Sequence, residues 1–138
     1  MAKTAPVLAI AFMLAGCSGE RPIPLHPVTG RVSFAGKPVA KGEIVFVPDA
    51  EKGNTHLQFG IGKLNPDGTY TAQTLQKPGV QPGWYKVMII ATKNEPQESL
   101  SWIPIWIVPV KYTKPETTDL RAEVVPNAPA GAYDFRLE

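Results

Sequence analysis

The stretch Trp84-Tyr85-Lys86-Val87-Met88-Ile89-Ile90-Ala91-Thr92 is the most regular apolar segment of the chain. Because successive side chains of a β-strand point to opposite faces, it predicts one fully apolar row and a second row interrupted only by Lys86. A strand of this kind lies inside a sheet that is covered on both sides. We therefore predict that residues 84–92 form the central strand of the fold.

Shorter runs of β-branched and aromatic residues lie on both sides of this segment and alternate with turn residues, as in all-β sandwiches. Fifteen prolines and twelve glycines interrupt the chain too often for long helices. The clearest turn is Asn65-Pro66-Asp67-Gly68, where proline presets φ and glycine accepts a left-handed conformation. These features predict a single all-β domain over residues 27–138. The other predicted strands are 28–34, 42–48, 57–64, 69–74, 120–125 and 133–138.

The segment 102–110 is densely apolar but contains Pro104 and Pro109. Proline cannot donate to a strand ladder, so the segment is predicted to be an edge strand or a packed loop. Its side chains either close one end of the core or form an exposed binding patch. Tryptophan is common at binding hot spots. Trp102 and Trp106 are therefore the first candidates for a binding patch, and Trp84 is the third.

The amino-terminal residues 1–16 have the three parts of a secretory leader: a positive charge at Lys3, an apolar run over 7–14, and small closing residues. The apolar run is too short to span a bilayer, which requires about 20 residues. Leu14-Ala15-Gly16-Cys17 resembles the lipobox of bacterial lipoproteins at all four positions. The resemblance implies cleavage between Gly16 and Cys17 by signal peptidase II and acylation of Cys17, with palmitate or a similar chain.

Cys17 is the single cysteine of the chain, and acylation accounts for this unpaired thiol in an exported protein. Residues 17–26 are rich in proline and predict an extended tether. We therefore expect an extracytoplasmic protein of the bacterial cell envelope that is held to a membrane by lipid. The sequence leaves open which membrane holds it.

Eight short motifs follow one another along the chain: Gly30-Arg31-Val32, Gly36-Lys37-Pro38-Val39, 42–46, 66–70, 81–87, 106–112, 117–120 and 133–137. Their order resembles the carboxypeptidase-regulatory-like, transthyretin-like domains, and in particular small planctomycete lipoproteins with such a domain. The resemblance implies a Greek-key sandwich of about seven to eight strands. It implies little about activity, because a shared fold does not determine function.

The residues provide no recognisable catalytic or metal-binding set. His26 and His56 are the only histidines, and a zinc site needs three or four ligands at short spacings. The chain ends in 135–138 without the Tyr-Arg-Gly-Ser signature of hydroxyisourate hydrolases, and it lacks the His-x-His pair of intradiol dioxygenases. We expect no cofactor other than the covalent lipid. Oxygen ligands for a weak calcium site occur without regular spacing at Asp49, Glu51, Asn54, Asp67 and Asp119.

The formal net charge is +2, with no clustered basic segment, so nucleic-acid binding is not expected. The favoured function is that of a membrane-anchored envelope lipoprotein with a non-catalytic sandwich, serving as a structural or protein-interaction module with an envelope protein as partner. The alternative is a carrier of a small apolar ligand or carbohydrate that binds through Trp102 and Trp106. An enzyme that depends on His56, Asp49 or Asp67 has no positive support. The oligomeric state stays open.

Overall fold

The computed structural model describes residues 22–138, which form nine β-strands and two single-turn 3-10 helices, Ala50–Lys52 and Val110–Thr113. No helix in this part of the chain is long and apolar enough to cross a membrane. The predicted all-β class is confirmed. The strands are β1 (Thr29–Phe34), β2 (Lys37–Pro38), β3 (Glu43–Pro48), β4 (Gly60–Lys63), β5 (Thr69–Thr74), β6 (Lys77–Pro78), β7 (Gly83–Ile90), β8 (Arg121–Val124) and β9 (Phe135–Leu137).

The strands belong to one curled sheet in the order β2-β1-β5-β4-β3-β7-β8, with β6 beside β5 and β9 beside β1. All pairs are antiparallel except β1 with β9. The sheet curls because β1 changes partners along its length. Its first half, from Thr29, pairs with β5, and its second half, from Val32, pairs with β9. This change of partners brings the last strand of the chain back onto the first.

The antiparallel register gives the domain two distinct ends. Strands β3, β5 and β8 end where β1, β4 and β7 begin, as the pairs Phe46–Gly60 and Gly83–Val124 show. We call this end the tether pole, because the amino-terminal segment pairs there through His26 with Val80. The opposite end, which we call the loop pole, holds the long connection between β7 and β8.

Phe46, on β3, lies at the centre of the core and is completely buried. Its ring contacts those of Tyr70, Tyr85 and Phe135, with centroids 6.2, 6.2 and 6.3 Å away. These four rings come from β3, β5, β7 and β9, so one aromatic cluster joins strands from both sides of the curled sheet. Burial raises the pKa of the Tyr70 hydroxyl, which donates a 2.5 Å hydrogen bond to the carbonyl of Tyr133.

The strand predicted over 84–92 is confirmed in type and alternation as β7. Its predicted central place is wrong, because β7 lies between β3 and β8, next to the end of the strand order. Its inner row of Tyr85, Val87 and Ile89 is completely buried, and its outer row is half-buried. The strands predicted at 120–125 and 133–138 are confirmed as β8 and β9, each with the predicted alternation.

One predicted strand is shorter in the structure, and the structure decides between the two alternatives predicted for another segment. The strand predicted over 57–64 begins only at Gly60, where it meets Phe46. β4 cannot begin much earlier, because its partner β3 ends at Pro48, two residues after Phe46. Proline has no amide hydrogen with which to extend the ladder. The segment 102–110 is a loop rather than an edge strand, with one isolated bridge between Thr92 and Trp106. The prolines that interrupt the segment account for this outcome.

Candidate functional site

The three candidate tryptophans do not come together. Trp84 lies at the start of β7, at the tether pole, where the Lys52 ammonium sits 4.0 Å from the centroid of its ring. Trp106 bridges to Thr92 at the loop pole, and Trp102 lies in the same connection. The length of β7, about 3.3 Å per residue, separates the two ends by roughly 20 Å. Trp102 and Trp106 therefore lie together at the loop pole, and Trp84 lies apart from them.

The connection at the loop pole is held in place by the side chain of Asn94. Its amide nitrogen donates to the carbonyl of Ile103 over 2.8 Å, and its amide oxygen accepts from the backbone N–H of Ile105, also over 2.8 Å. The backbone N–H of Lys93 donates to the carbonyl of Ile105 over 2.8 Å. The Asn94 side chain and this backbone pairing together hold a segment that has no regular secondary structure.

This fixed segment presents apolar side chains to solvent. Ile103 is 76% exposed, Ile105 is more than half exposed, and Leu100 is fully exposed. Trp102 and Trp106, in the same connection, are half-buried. The indole nitrogen of Trp102 is buried and has no hydrogen-bond partner within residues 22–138. We call Leu100, Ile103 and Ile105 the distal patch. Exposed apolar groups on a held backbone are typical of contact surfaces.

A second apolar surface was not predicted from the sequence. Leu57, Phe59, Ile61 and Leu75 are all exposed and line an open groove of about 700 Å³ on the outer face of β4 and β5. Leu57 is 88% exposed and Leu75 is 72% exposed. We call this surface the outer groove. It is a second place where the domain offers apolar area to another molecule.

The outer groove exists because β4 turns its glycines inward. A Cβ atom at Gly60 would lie 2.7 Å from a methyl carbon of Val80, and one at Gly62 would lie 3.0 Å from the ring of Tyr70. Only glycine leaves room for these two core side chains. Since side chains alternate along a strand, the large residues next to the glycines, Phe59 and Ile61, must face outward. In the sequence, the alternation of glycine with large apolar residues was the signal that could have indicated this exposed surface.

Leu75 is held at the tip of the β5–β6 hairpin in an unusual conformation. Leu75 and Gln76 have φ values of 48° and 66°, a region that costs a non-glycine residue about 1–2 kcal/mol. Two-residue turns of this kind prefer asparagine and glycine. The Thr74 hydroxyl donates to the carbonyl of Gly79 over 2.9 Å and braces the turn. Strain that exposes a leucine favours a binding role for it.

The residues considered for an enzyme lie at different ends of the domain. Asp49 is 2% exposed at the tether pole, with Oδ2 3.7 Å from Nε of Arg121 and with Oδ1 unpartnered within residues 22–138. The half-buried His56 also lies at the tether pole, in the β3–β4 connection. Asp67 is exposed in the β4–β5 turn at the loop pole. Hydrogen bonds from Thr69 lower the pKa of its carboxyl group below the ordinary value.

Asp49 lies in the β3–β4 connection and is nonetheless buried. Arg121, on β8, lies beside the carboxylate and is only one third exposed itself. Asn54, in the same loop, is also buried, because its amide group donates to the carbonyl of Trp84 over 2.8 Å and accepts from the backbone N–H of His56 over 3.1 Å. These contacts dock the loop on the ends of β7 and β8.

No group of three or more His, Cys, Asp or Glu side chains within residues 22–138 is arranged to hold a metal ion. The oxygen ligands considered for calcium are divided between the two poles. Asp49, Glu51 and Asn54 lie at the tether pole, and Asp67 and Asp119 lie at the loop pole. His26 lies at the edge of the domain, where its backbone pairs with Val80.

Gly16 and Cys17, the residues of the predicted cleavage and acylation, lie outside the described residues. The structure therefore does not test the predicted anchor.

Comparison with protein-family models, with curated proteins and with solved structures finds no match to this chain. The fold and the two apolar surfaces define it as an all-β protein, built on one curled sheet, that carries exposed apolar area on both an end and a side.

Proposed function

We propose that this protein is an exported lipoprotein, anchored at Cys17, whose non-catalytic sandwich binds an envelope protein through the distal patch. The proposed fold is a Greek-key sandwich of the transthyretin-like type. The anchor is supported by the lipobox and by the lack of any other cysteine in the chain. The interaction role is supported by one observation: a loop fixed by Asn94 exposes Leu100, Ile103 and Ile105 to solvent.

The position of the distal patch fits this role. It lies at the loop pole, whereas the tether joins the domain at the opposite end through His26 and Val80. A protein anchored by its amino terminus therefore presents the distal patch away from its own membrane. The same connection also carries exposed lysine and glutamate side chains, at Lys93, Glu95 and Glu98. An apolar centre with a polar rim is the usual anatomy of a protein–protein interface.

The anchor is tested by replacing the acylated residue. In cells supplied with an alkyne-bearing palmitate analogue, we expect the wild-type chain to be labelled and to sediment with membranes. We expect Cys17→Ala to lose the label and to remain unprocessed, because the thiol that accepts the lipid is gone. Ser18→Ala, a matched change one residue further on, should behave like the wild type. Unchanged labelling and processing of Cys17→Ala would exclude the lipoprotein assignment.

The contact surface is tested by site-specific photo-crosslinking in intact cells. We expect a photoreactive residue at Ile105 to give a discrete adduct of higher mass. The same residue at Lys37, which is exposed at the same pole, should give none. Adding Ile103→Ser should reduce the Ile105 adduct about tenfold, since truncating a central apolar contact commonly costs 1–2 kcal/mol of binding. Equal adducts from both positions would show that the distal patch is not the interface.

A further inference from the structure

The outer groove has an apolar end and a polar end. Leu57, Phe59 and Leu75 lie where β4 begins and β5 ends, which is the tether pole. The other end of the groove carries Glu43 and Lys63, which face each other across the β3–β4 pair. The apolar part of the groove therefore opens towards the end of the domain at which the tether joins.

The tether is fixed at this pole by backbone hydrogen bonds. The N–H of His26 donates to the carbonyl of Val80 over 2.9 Å, and the N–H of Val80 donates back over 2.9 Å. Cys17 precedes Leu25 by eight residues, which span at most about 29 Å when fully extended. A lipid on Cys17 consequently keeps the tether pole within this distance of the bilayer, which allows that pole to reach the bilayer surface. The loop pole lies a further strand length away.

The charged side chains at this pole suit a lipid surface. Lys52 and Lys77 are exposed in the two connections that flank the apolar end of the groove, and their ammonium groups are suited to headgroup phosphates. The carboxylate of Glu51 is also nearby, but the ammonium of Lys86, 4.0 Å away, partly neutralises its negative charge. Exposed leucine and phenylalanine side chains next to lysines are the usual composition of an interfacial membrane contact.

We infer that Leu57, Phe59 and Leu75 insert into the interface of the bilayer that holds the lipid anchor, with Lys52 and Lys77 at its phosphates. This inference rests on the proposed anchor at Cys17. The bilayer then covers apolar side chains that the fold leaves exposed, including the leucine at the strained tip of the β5–β6 hairpin. The sandwich stands upright on the membrane, and the distal patch points outward.

The test uses the full-length acylated protein reconstituted into vesicles of phosphatidylethanolamine and phosphatidylglycerol, with and without bromine atoms on the acyl chains. An environment-sensitive nitrobenzoxadiazole probe is attached to Leu75→Cys or, as the matched control, to Ile103→Cys at the loop pole. Because Cys17 is the single natural cysteine and carries the lipid, the introduced thiol is the one that reacts. Flotation of the vesicles reports anchoring independently of the probe.

We expect both variants to float, and we expect the brominated lipids to quench the probe at position 75 about twofold while leaving the probe at position 103 unchanged. Equal, water-like emission at both positions in floating vesicles would overturn the membrane contact and leave the anchor intact. A blue-shifted probe at position 75 that brominated lipids do not quench would also overturn it, in favour of a second copy of the chain. Failure to float would overturn the anchor and, with it, the inference.

Discussion

Replacing Phe46 with alanine is expected to lower the free energy of unfolding by about 3–5 kcal/mol, the usual cost of removing a buried phenylalanine ring. Phe46 is completely buried and contacts three other aromatic rings. Those rings belong to three different strands, so the cavity cannot be filled by the movement of one neighbour. Most domains of this size have 5–15 kcal/mol of stability in total, so Phe46→Ala should leave the fold only marginally stable.

The measurement is urea unfolding followed by tryptophan fluorescence, on a chain that starts at Ser18 and therefore carries no lipid. Phe59→Ala is the matched control, because it removes the same ring from a position that is 47% exposed on the outer face. We expect it to cost less than about 1 kcal/mol. Similar losses for the two variants would mean that Phe46 is not the centre of the core.

The alternation of apolar residues was sufficient to predict β7, β8 and β9. It works where a strand has one fully buried row, as in Tyr85, Val87 and Ile89. It fails for buried residues in connections. Val39 and Val80 are part of the core. Val39 directly follows β2, and Val80 lies two residues after β6; each of these strands is a Lys-Pro pair of only two residues. A strand of two residues is too short to show an alternation of apolar and polar side chains. The burial of Val39 and Val80 depends instead on the pairing of β2 with β1 and of β6 with β5.

The two apolar surfaces show the same limit. The sequence places Phe59 and Ile61 on one side of a strand, but it does not say whether that side faces the core. The decision depends on Tyr70 and Val80, which occupy the space next to the inward-facing glycines. Likewise, Trp84 can be excluded from the loop pole only once the direction of β7 is known. The alternation of side chains along a strand is a local property of the sequence. Which side is exposed depends on packing against residues far away in the chain.

Gly30 tests the contact that closes the curled sheet. A Cβ atom at this position would lie 2.2 Å from the carbonyl oxygen of Tyr133 and 2.7 Å from its carbonyl carbon. Both are backbone atoms just before β9, so no side-chain rotation relieves the clash. The same carbonyl accepts the hydrogen bond from Tyr70, and the neighbouring Asp134 accepts a 2.9 Å hydrogen bond from the N–H of Arg31. Displacing this segment therefore disturbs two further contacts.

We expect Gly30→Ala to lower the free energy of unfolding by about 3 kcal/mol, at the upper end of the usual cost of overpacking. The direction of this change in unfolding free energy is informative. Replacing glycine with alanine inside an unobstructed strand normally stabilises a protein by about 0.5–1 kcal/mol. Gly36→Ala is the control: its Cβ atom would meet nothing within 4 Å, so only the strain of its φ of +79° remains, at about 1 kcal/mol. Urea unfolding of the chain from Ser18 measures both variants. Unchanged or increased stability of Gly30→Ala would show that β9 is not docked beside β1, and that the sheet closes in another way.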